Sequence, residues 1–189
     1  MSNWMADDRV AQAARAIKSG GVIAYPTEAV WGLGADPANQ QALARLLALK
    51  RRPRAKGLIL IAANMAQIEP WLAPLSNSHR TQLEASWPGP VTWLVPNNGQ
   101  ASRWVTGDFT TVALRVTDHP VVQALCLAFG GPIISTSANP QGQTPARSAL
   151  QVQAYFGDQL QAIAPGQVGE RNQPSEIRDL KTGRIHRPG

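Results

Sequence analysis

Ala42-Leu43-Ala44-Arg45-Leu46-Leu47-Ala48-Leu49-Lys50-Arg51-Arg52-Pro53-Arg54-Ala55-Lys56-Gly57-Leu58-Ile59-Leu60-Ile61 carries a helix, a break and a strand in succession. Residues Ala42 to Leu49 have the apolar spacing of a helix, and Gly57 to Ile61 read as a buried strand. Between them Lys50 to Lys56 place five cations in seven residues. Pro53 cannot continue a helix and biases Arg52 away from helical angles, so the second half of the run is expected to be a loop. The plainer reading of such a run is a solvated face or a loose contact for nucleic acid. These cations, however, are wedged between two apolar elements that must pack, which fixes where they point. A fixed cationic loop suits a polyphosphate: Lys offers a point charge, and Arg a planar fork for two oxygens.

Outward from this stretch, helices and strands alternate. Ala6 to Ser19 reads as a helix closed by Gly20-Gly21 and followed by the strand Val22 to Tyr25. Pro26 to Gly34, rich in small and polar residues, reads as a loop, and Asn39 to Leu49 as the helix that leads into the cations. After the strand Leu58–Ala62, Asn64 and Ser76 are expected N-caps of two further helices, the second running through Leu83 to about Trp87. Trp87-Pro88-Gly89-Pro90 forms a forced turn before a strand over Val91 to Val95. Asn97 to Gly107 is a polar loop and a candidate lid, and Thr110 to Val116 a strand. His119 to Phe129 is a helix, and Pro132 to Ile134 a buried strand opening into Ser135-Thr136-Ser137-Ala138-Asn139. Ser148 caps a helix through Phe156, and Ile177–Leu180 and Arg184–His186 are short late strands. The pattern predicts an α/β or α+β layered domain on a mixed sheet, with ligands beside strand ends.

Composition narrows the function classes. The 189 residues suffice for one well-buried core, and 43% hydrophobic with 16% charged residues describes a folded globule. No window approaches the roughly 18 apolar residues of a membrane span. The start of the chain lacks the pattern of a secretory leader, so a cytoplasmic location is expected. A lone cysteine, Cys126, excludes an internal disulfide and a cysteine-based metal cluster, and His79, His119 and His186 lack metal-ligand spacing. The net charge of +6 favours anionic partners: nucleotides, RNA or phosphorylated metabolites.

Neither a Gly-x-x-x-x-Gly-Lys-Ser/Thr loop nor a Gly-x-Gly-x-x-Gly fingerprint is present, so a phosphate site has to be assembled from separate loops. Three loops qualify: Pro26–Gly34, Lys50–Gly57 and Ser135–Pro145. Taken together, Tyr25-Pro26-Thr27-Glu28-Ala29-Val30-Trp31-Gly32-Leu33-Gly34, Lys50-x-Arg52-Pro53, Trp87-Pro88-Gly89-Pro90 and Ser137-Ala138-Asn139 resemble the YrdC family of threonylcarbamoyl-AMP synthases, in its short single-domain bacterial form.

The resemblance implies a single YrdC-like domain over 1–189, an open twisted mixed sheet with flanking helices and a basic concave face. It implies an enzyme that joins L-threonine, bicarbonate or carbon dioxide, and ATP into threonylcarbamoyl-AMP and pyrophosphate. The product serves the threonylcarbamoyl modification of tRNA next to the anticodon, through downstream transferase proteins. Magnesium would arrive with ATP. Arg52 and Lys56, helped by Lys50, are implied to hold the phosphates, with Lys50 and Arg52 as the catalytic cations. Thr111, Ser137, Asn139, the Pro145 backbone and Arg187 are implied to complete the nucleotide site. For threonine the implied contacts are Thr27, Arg115, Ser175, backbone around Ser135, and backbone alone at Ala29, where many relatives carry a second threonine.

The chain departs from the family pattern elsewhere too. Lys56-Gly57 replaces a commoner proline-containing sequence, Ile61 stands where relatives often have histidine, and Pro174-Ser175-Glu176-Ile177 differs from the usual Ser-Thr-Val. Glu28 reads either as orienting an amine or as capping a turn, and Trp31, Trp87 and Trp93 as packing residues. The competing reading is a non-catalytic RNA-binding or ribosome-maturation protein gripping tRNA or double-stranded RNA with its basic face. A phosphosugar lyase is a third, but it calls for clustered acids that the sequence lacks. The first two separate on arrangement: the enzyme needs its motif residues to converge on one pocket.

Overall fold

The computed structural model describes residues 3–189. Met1 and Ser2, the first residues of the stretch read above as free of a leader, lie outside the described residues. Helix α1 (Asp8–Lys18) starts where the Asp7 carboxylate accepts the Arg9 N–H, and it buries Val10, Ala13, Ala14 and Ile17. Strand β1 (Ile23–Pro26) then pairs antiparallel with β2 (Trp31–Gly34). The sequence reading placed β2 in a loop. Its glycines suggested one, but they serve close approach instead: a Cβ on Gly34 would lie 2.6 Å from the Tyr25 ring.

Helix α2 (Gln40–Lys50) is capped by Asn39, and the cationic loop with a 3-10 turn at Arg54–Lys56 joins it to β3 (Ile59–Ala62). Asn64 caps a 3-10 turn at Met65–Ile68, which runs into the single turn α3 (Glu69–Leu72), and Ser76 caps α4 (Asn77–Glu84). Then follow β4 (Val91–Pro96), α5 (Arg103–Thr106), β5 (Thr111–Val116), α6 (Pro120–Phe129) and β6 (Ile133–Ser137). The chain finishes with α7 (Ala149–Phe156), β7 (Ala162–Ile163), β8 (Glu176–Asp179) and β9 (Ile185–Arg187). With two residues, β7 is too short to leave a periodic signal. Within the candidate lid, Ala101, Val105 and Thr106 are buried, and Val105 and Thr106 belong to the cavity wall described below.

One nine-stranded mixed sheet results, in the order β7-β1-β2-β6-β3-β5-β4-β8-β9. Its two faces are covered unequally. On one, Leu60, Leu114, Ile134, Val112 and Val95 pack with Leu43, Leu46 and Leu47 of α2 and with Val152 and Phe156 of α7. On the other, Ile61 and Ile133 lie in a core with residues of α1 and α6, including Cys126. Those two helices cover only part of that face. Two residues further along the same strands, the register aligns Ser135, Ile59, Ala113, Leu94 and Asp179 across five strands. All five line a cavity that no helix fills. Alternation along β6 thus runs from buried Ile133 to the hydroxyls of Ser135 and Ser137, from core to site within one strand.

Candidate active site

The open part of the face is a concavity of about 470 Å³, within the usual range for a small-molecule site. Of the residues expected there, Thr27, Ala29, Arg52, Lys56, Thr111, Arg115, Ser135, Ser137, Ser175 and Arg187 line it, while Lys50, Asn139 and Pro145 do not. Sequence reasoning missed Arg171, Gln173 and His186 as lining residues. No motif marks these three; β9 carries His186 in beside β8, and backbone bonds from Gly169 and Arg171 to Thr27 and Glu28 bring in the segment with Arg171 and Gln173.

The cationic loop is shaped by its own residues. Arg51 closes α2 in the left-handed region (φ 52°), and Arg52 Nη2 then donates to Lys56 O at 3.2 Å and Gly57 O at 3.0 Å. This curls the loop back and leaves Arg52 Nε buried and without a protein partner. Gly57 (φ +60°) and Gly107 (φ +64°) let the loop press on the α5 segment: a Cβ on Gly107 would lie 2.4 Å from Ala55 O. The departure at Lys56-Gly57 therefore has a physical cause, since only glycine fits that backbone.

Lys50 faces elsewhere. It is 4% exposed, and its ammonium donates to Ser137 O, to Asn139 O at 3.0 Å and to Asn139 Oδ1 at 3.5 Å. Burial, and then the neighbouring Arg52, pull its pKa down to about 8. The lysine of the Lys-x-Arg pair thus fastens the Ser-x-Asn loop rather than facing the cavity, so these two sequence elements belong together through a direct contact. Asn139 Nδ2 in turn donates to Gln143 O at 2.7 Å and closes the loop.

Arg187 grips the other side. Its Nε and Nη2 donate to Ser175 O at 3.1 and 2.6 Å, and Ser175 Oγ stands 2.8 Å from Thr92 Oγ1. Burial first, then Arg115 and Arg52, hold the Arg187 pKa below its ordinary value, so three guanidinium charges share one basin. Arg115 Nε donates to Gly89 O at 3.0 Å, in the Trp87–Pro90 turn, and its Nη2 stands 2.7 Å from Glu28 Oε2. That oxygen is not aligned for a hydrogen bond, so charge holds the pair. Glu28 is therefore neither a turn cap nor free; Thr117 Oγ1 also donates to its Oε1 at 2.6 Å.

Two acids line the cavity. Glu28 is engaged as described, and Asp179 accepts from Thr182 N and Oγ1 at 2.7 and 2.8 Å. Among the described residues no group of three His, Cys, Asp or Glu side chains could cage a metal ion. The arrangement can hold a polyanion against several cations and a carboxylate against Arg115, over a floor of Ile59, Ala113 and Leu94.

Known proteins resemble this chain in sequence and fold. The Sua5/YciO/YrdC family model, described as "Telomere recombination", matches residues 15–189. A protein of Cellvibrio japonicus named threonylcarbamoyl-AMP synthase is 59% identical over 188 residues, covering 100% of both chains. One of Halorhodospira halophila with the same name is 54% identical, over 93% of this chain and 92% of its own. Among solved structures, P. abyssi Sua5 complexed with L-threonine superposes with a TM-score of 0.86 at 30% identity, over 93% of this chain. This chain spans about half (52%) of that protein. The fold, the cavity and these likenesses agree: the chain belongs to the Sua5/YciO/YrdC family.

Proposed function

We propose that this protein is a threonylcarbamoyl-AMP synthase, working as one domain, that forms threonylcarbamoyl-AMP and pyrophosphate from L-threonine, bicarbonate or carbon dioxide, and ATP. The observation that carries the reading is the convergence of Arg52, Lys56 and Arg187 with the Arg115–Glu28 pair on one cavity. A surface that only grips RNA needs a broad basic face, not a concave basin with a separate, charge-balanced end.

Arg115 takes the threonine carboxylate with the edge of its fork not spent on Gly89 and Glu28, and Ser135, Ser175 and Thr27 border the rest of the amino acid. The threonine nitrogen becomes a carbamate, whose oxygen attacks the α-phosphorus of ATP. Charge then builds on the departing pyrophosphate, where Arg52, Lys56 and Arg187 hold it. Arg52 and Arg187 are pinned in advance by carbonyls, so little reorganisation is needed when that charge develops. Ser137 and Thr111 border the nucleotide. Lys50 acts as a positioning residue: it fixes the loop that presents Ser137, Asn139 and Pro145.

Bound magnesium would offset phosphate charge. The lining acids are engaged, so the ion would ride on the nucleotide's own oxygens, and the chain's cations meet the oxygens left over. Downstream, the mixed anhydride suits a transferase acting on tRNA in the cytoplasm.

The test is to incubate purified protein with ATP, magnesium, bicarbonate and L-threonine, following pyrophosphate and product mass while each substrate is omitted in turn. A product with the mass of AMP joined to carbamoylated threonine, dependent on all three substrates, is expected. Pyrophosphate at background level would refute the reading.

A further inference from the structure

Four arginines line the cavity; Arg171 pairs with Asp118 in a half-exposed contact, and the other three are anchored by partners of different kinds. Arg52 is held by the carbonyls of Lys56 and Gly57, and Arg187 by that of Ser175, all neutral groups. Arg115 also has its carbonyl, Gly89 O, yet it has an acid besides: Glu28, at 2.7 Å, with a side chain only 7% exposed. A buried carboxylate is costly to keep. Holding a guanidinium in place does not require one, as Arg52 and Arg187 demonstrate. What Glu28 adds beyond position is its charge.

Its neighbours do not cancel that charge. Asp118 lies against Glu28 but has its own counterion, Arg171, at 3.1 Å. Thr117, which donates to Glu28 at 2.6 Å, is neutral. Arg115 and Glu28 therefore form a buried, balanced pair in a cavity whose Arg52, Lys56 and Arg187 have no acidic partner. We propose that Glu28 is a specificity-determining residue: by balancing Arg115 it makes this end of the cavity accept a zwitterionic α-amino acid, carboxylate on Arg115 and ammonium toward Glu28, and turn anions away. This rests on the reading that the Arg115 end receives the amino acid.

Two consequences follow for the reaction. Phosphate groups, attracted to every guanidinium in the basin, are kept to Arg52, Lys56 and Arg187 because Glu28 repels them from Arg115. The sign of the amine also changes during turnover. The ammonium loses one proton to solvent and a second in the water formed with the hydroxyl of bicarbonate, as the new N–C bond makes an anionic carbamate. Glu28 attracts the first species and repels the second, which drives the carbamate toward the cations and the α-phosphorus.

The probe pair is L-threonine and (R)-3-hydroxybutanoate, which is threonine without its amine. Binding of each, and of ATP, is measured by titration calorimetry to the unmodified protein and to Glu28→Gln, which keeps the shape and an acceptor for Thr117. The unmodified protein is expected to prefer L-threonine by about 10- to 100-fold. In Glu28→Gln that preference falls to within about threefold, as expected when the charged contact is lost, and pyrophosphate becomes a competitor of L-threonine. Parallel weakening of both probes, with the preference intact, would overturn the proposal and leave Glu28 as a brace for Arg115. Equal binding of both probes by the unmodified protein would overturn it as well, even if the variant did not fold. Failure of the underlying reading looks different, since the unmodified protein would then form no product from its three substrates.

Discussion

The two ends of the cavity use the same residue type differently. At the phosphate end, Arg52 and Arg187 are fixed by uncharged carbonyls and keep their whole charge; at the amino-acid end, Arg115 is fixed by a carbonyl and an acid and keeps little. The first arrangement suits a ligand of high negative charge, the second one with no net charge. How an arginine is fastened thus matters as much as where it points.

The largest effect should come from breaking the phosphate end. Arg52→Ala removes a cation and the clasp on Lys56 and Gly57, and it should cut product formation by about 10²–10³-fold or more while L-threonine binding changes by less than about threefold. Pyrophosphate release and calorimetry check the two halves. Arg115→Met should do the reverse, raising KM for L-threonine about 100-fold with KM for ATP nearly unchanged. It also strands a buried carboxylate, so urea denaturation should show a loss of about 3–5 kcal/mol.

Gly107→Ala touches no ligand. Its left-handed backbone and the 2.4 Å approach to Ala55 O mean that a methyl group displaces the cationic loop. Several-fold weaker ATP binding and a lower Tm are expected, with L-threonine binding preserved; no change in Tm would show that the contact yields freely.

The mildest test is pH. Lys50 titrates at about 8 in the folded protein, against 10.5 in an unfolded chain. Between those values the unfolded chain binds more protons, so this group's contribution to stability rises with pH and is lost as pH falls through about 8. Function should move the opposite way, because the ammonium that fastens Ser137 and Asn139 loses its charge. The pH–rate profile should therefore bend down near 8, and relative to Lys50→Met the unmodified protein should gain Tm from pH 7.5 to 10. A downward bend that tracked loss of fold would count against the positioning role.

Much of this was legible in the residues. The capped helices at Asn39, Ser76 and Ser148 and the strands over Leu58–Ala62 and Thr110–Val116 follow from capping side chains and periodicity; the structure places them within a residue or two, except that the helix after Ser76 ends at Glu84, three residues before the expected end near Trp87. Strand β2 escaped because its glycines, needed under Tyr25, carry the composition of a loop. The site's motif residues were legible as types, but not their partners. Lys50 reads as one more cation in a cationic run, and only the three-dimensional contact with Ser137 and Asn139 turns it inward. Glu28 was read as an amine holder or a turn cap, since its contact with Arg115 joins residues far apart in sequence. Arg171 and Gln173 come from a segment with no periodic signal, and it reaches the cavity because Gly169 N and Arg171 N bond to Thr27 O and Glu28 O.

The most direct test of the division between the two ends is a crossed titration: ATP and L-threonine, each into the unmodified protein, Arg52→Ala and Arg115→Met. The account predicts a crossed result, with Arg52→Ala losing ATP and keeping L-threonine, and Arg115→Met losing L-threonine and keeping ATP. Parallel loss of both ligands in both variants would contradict it, because the cavity would then act as one undivided basic basin.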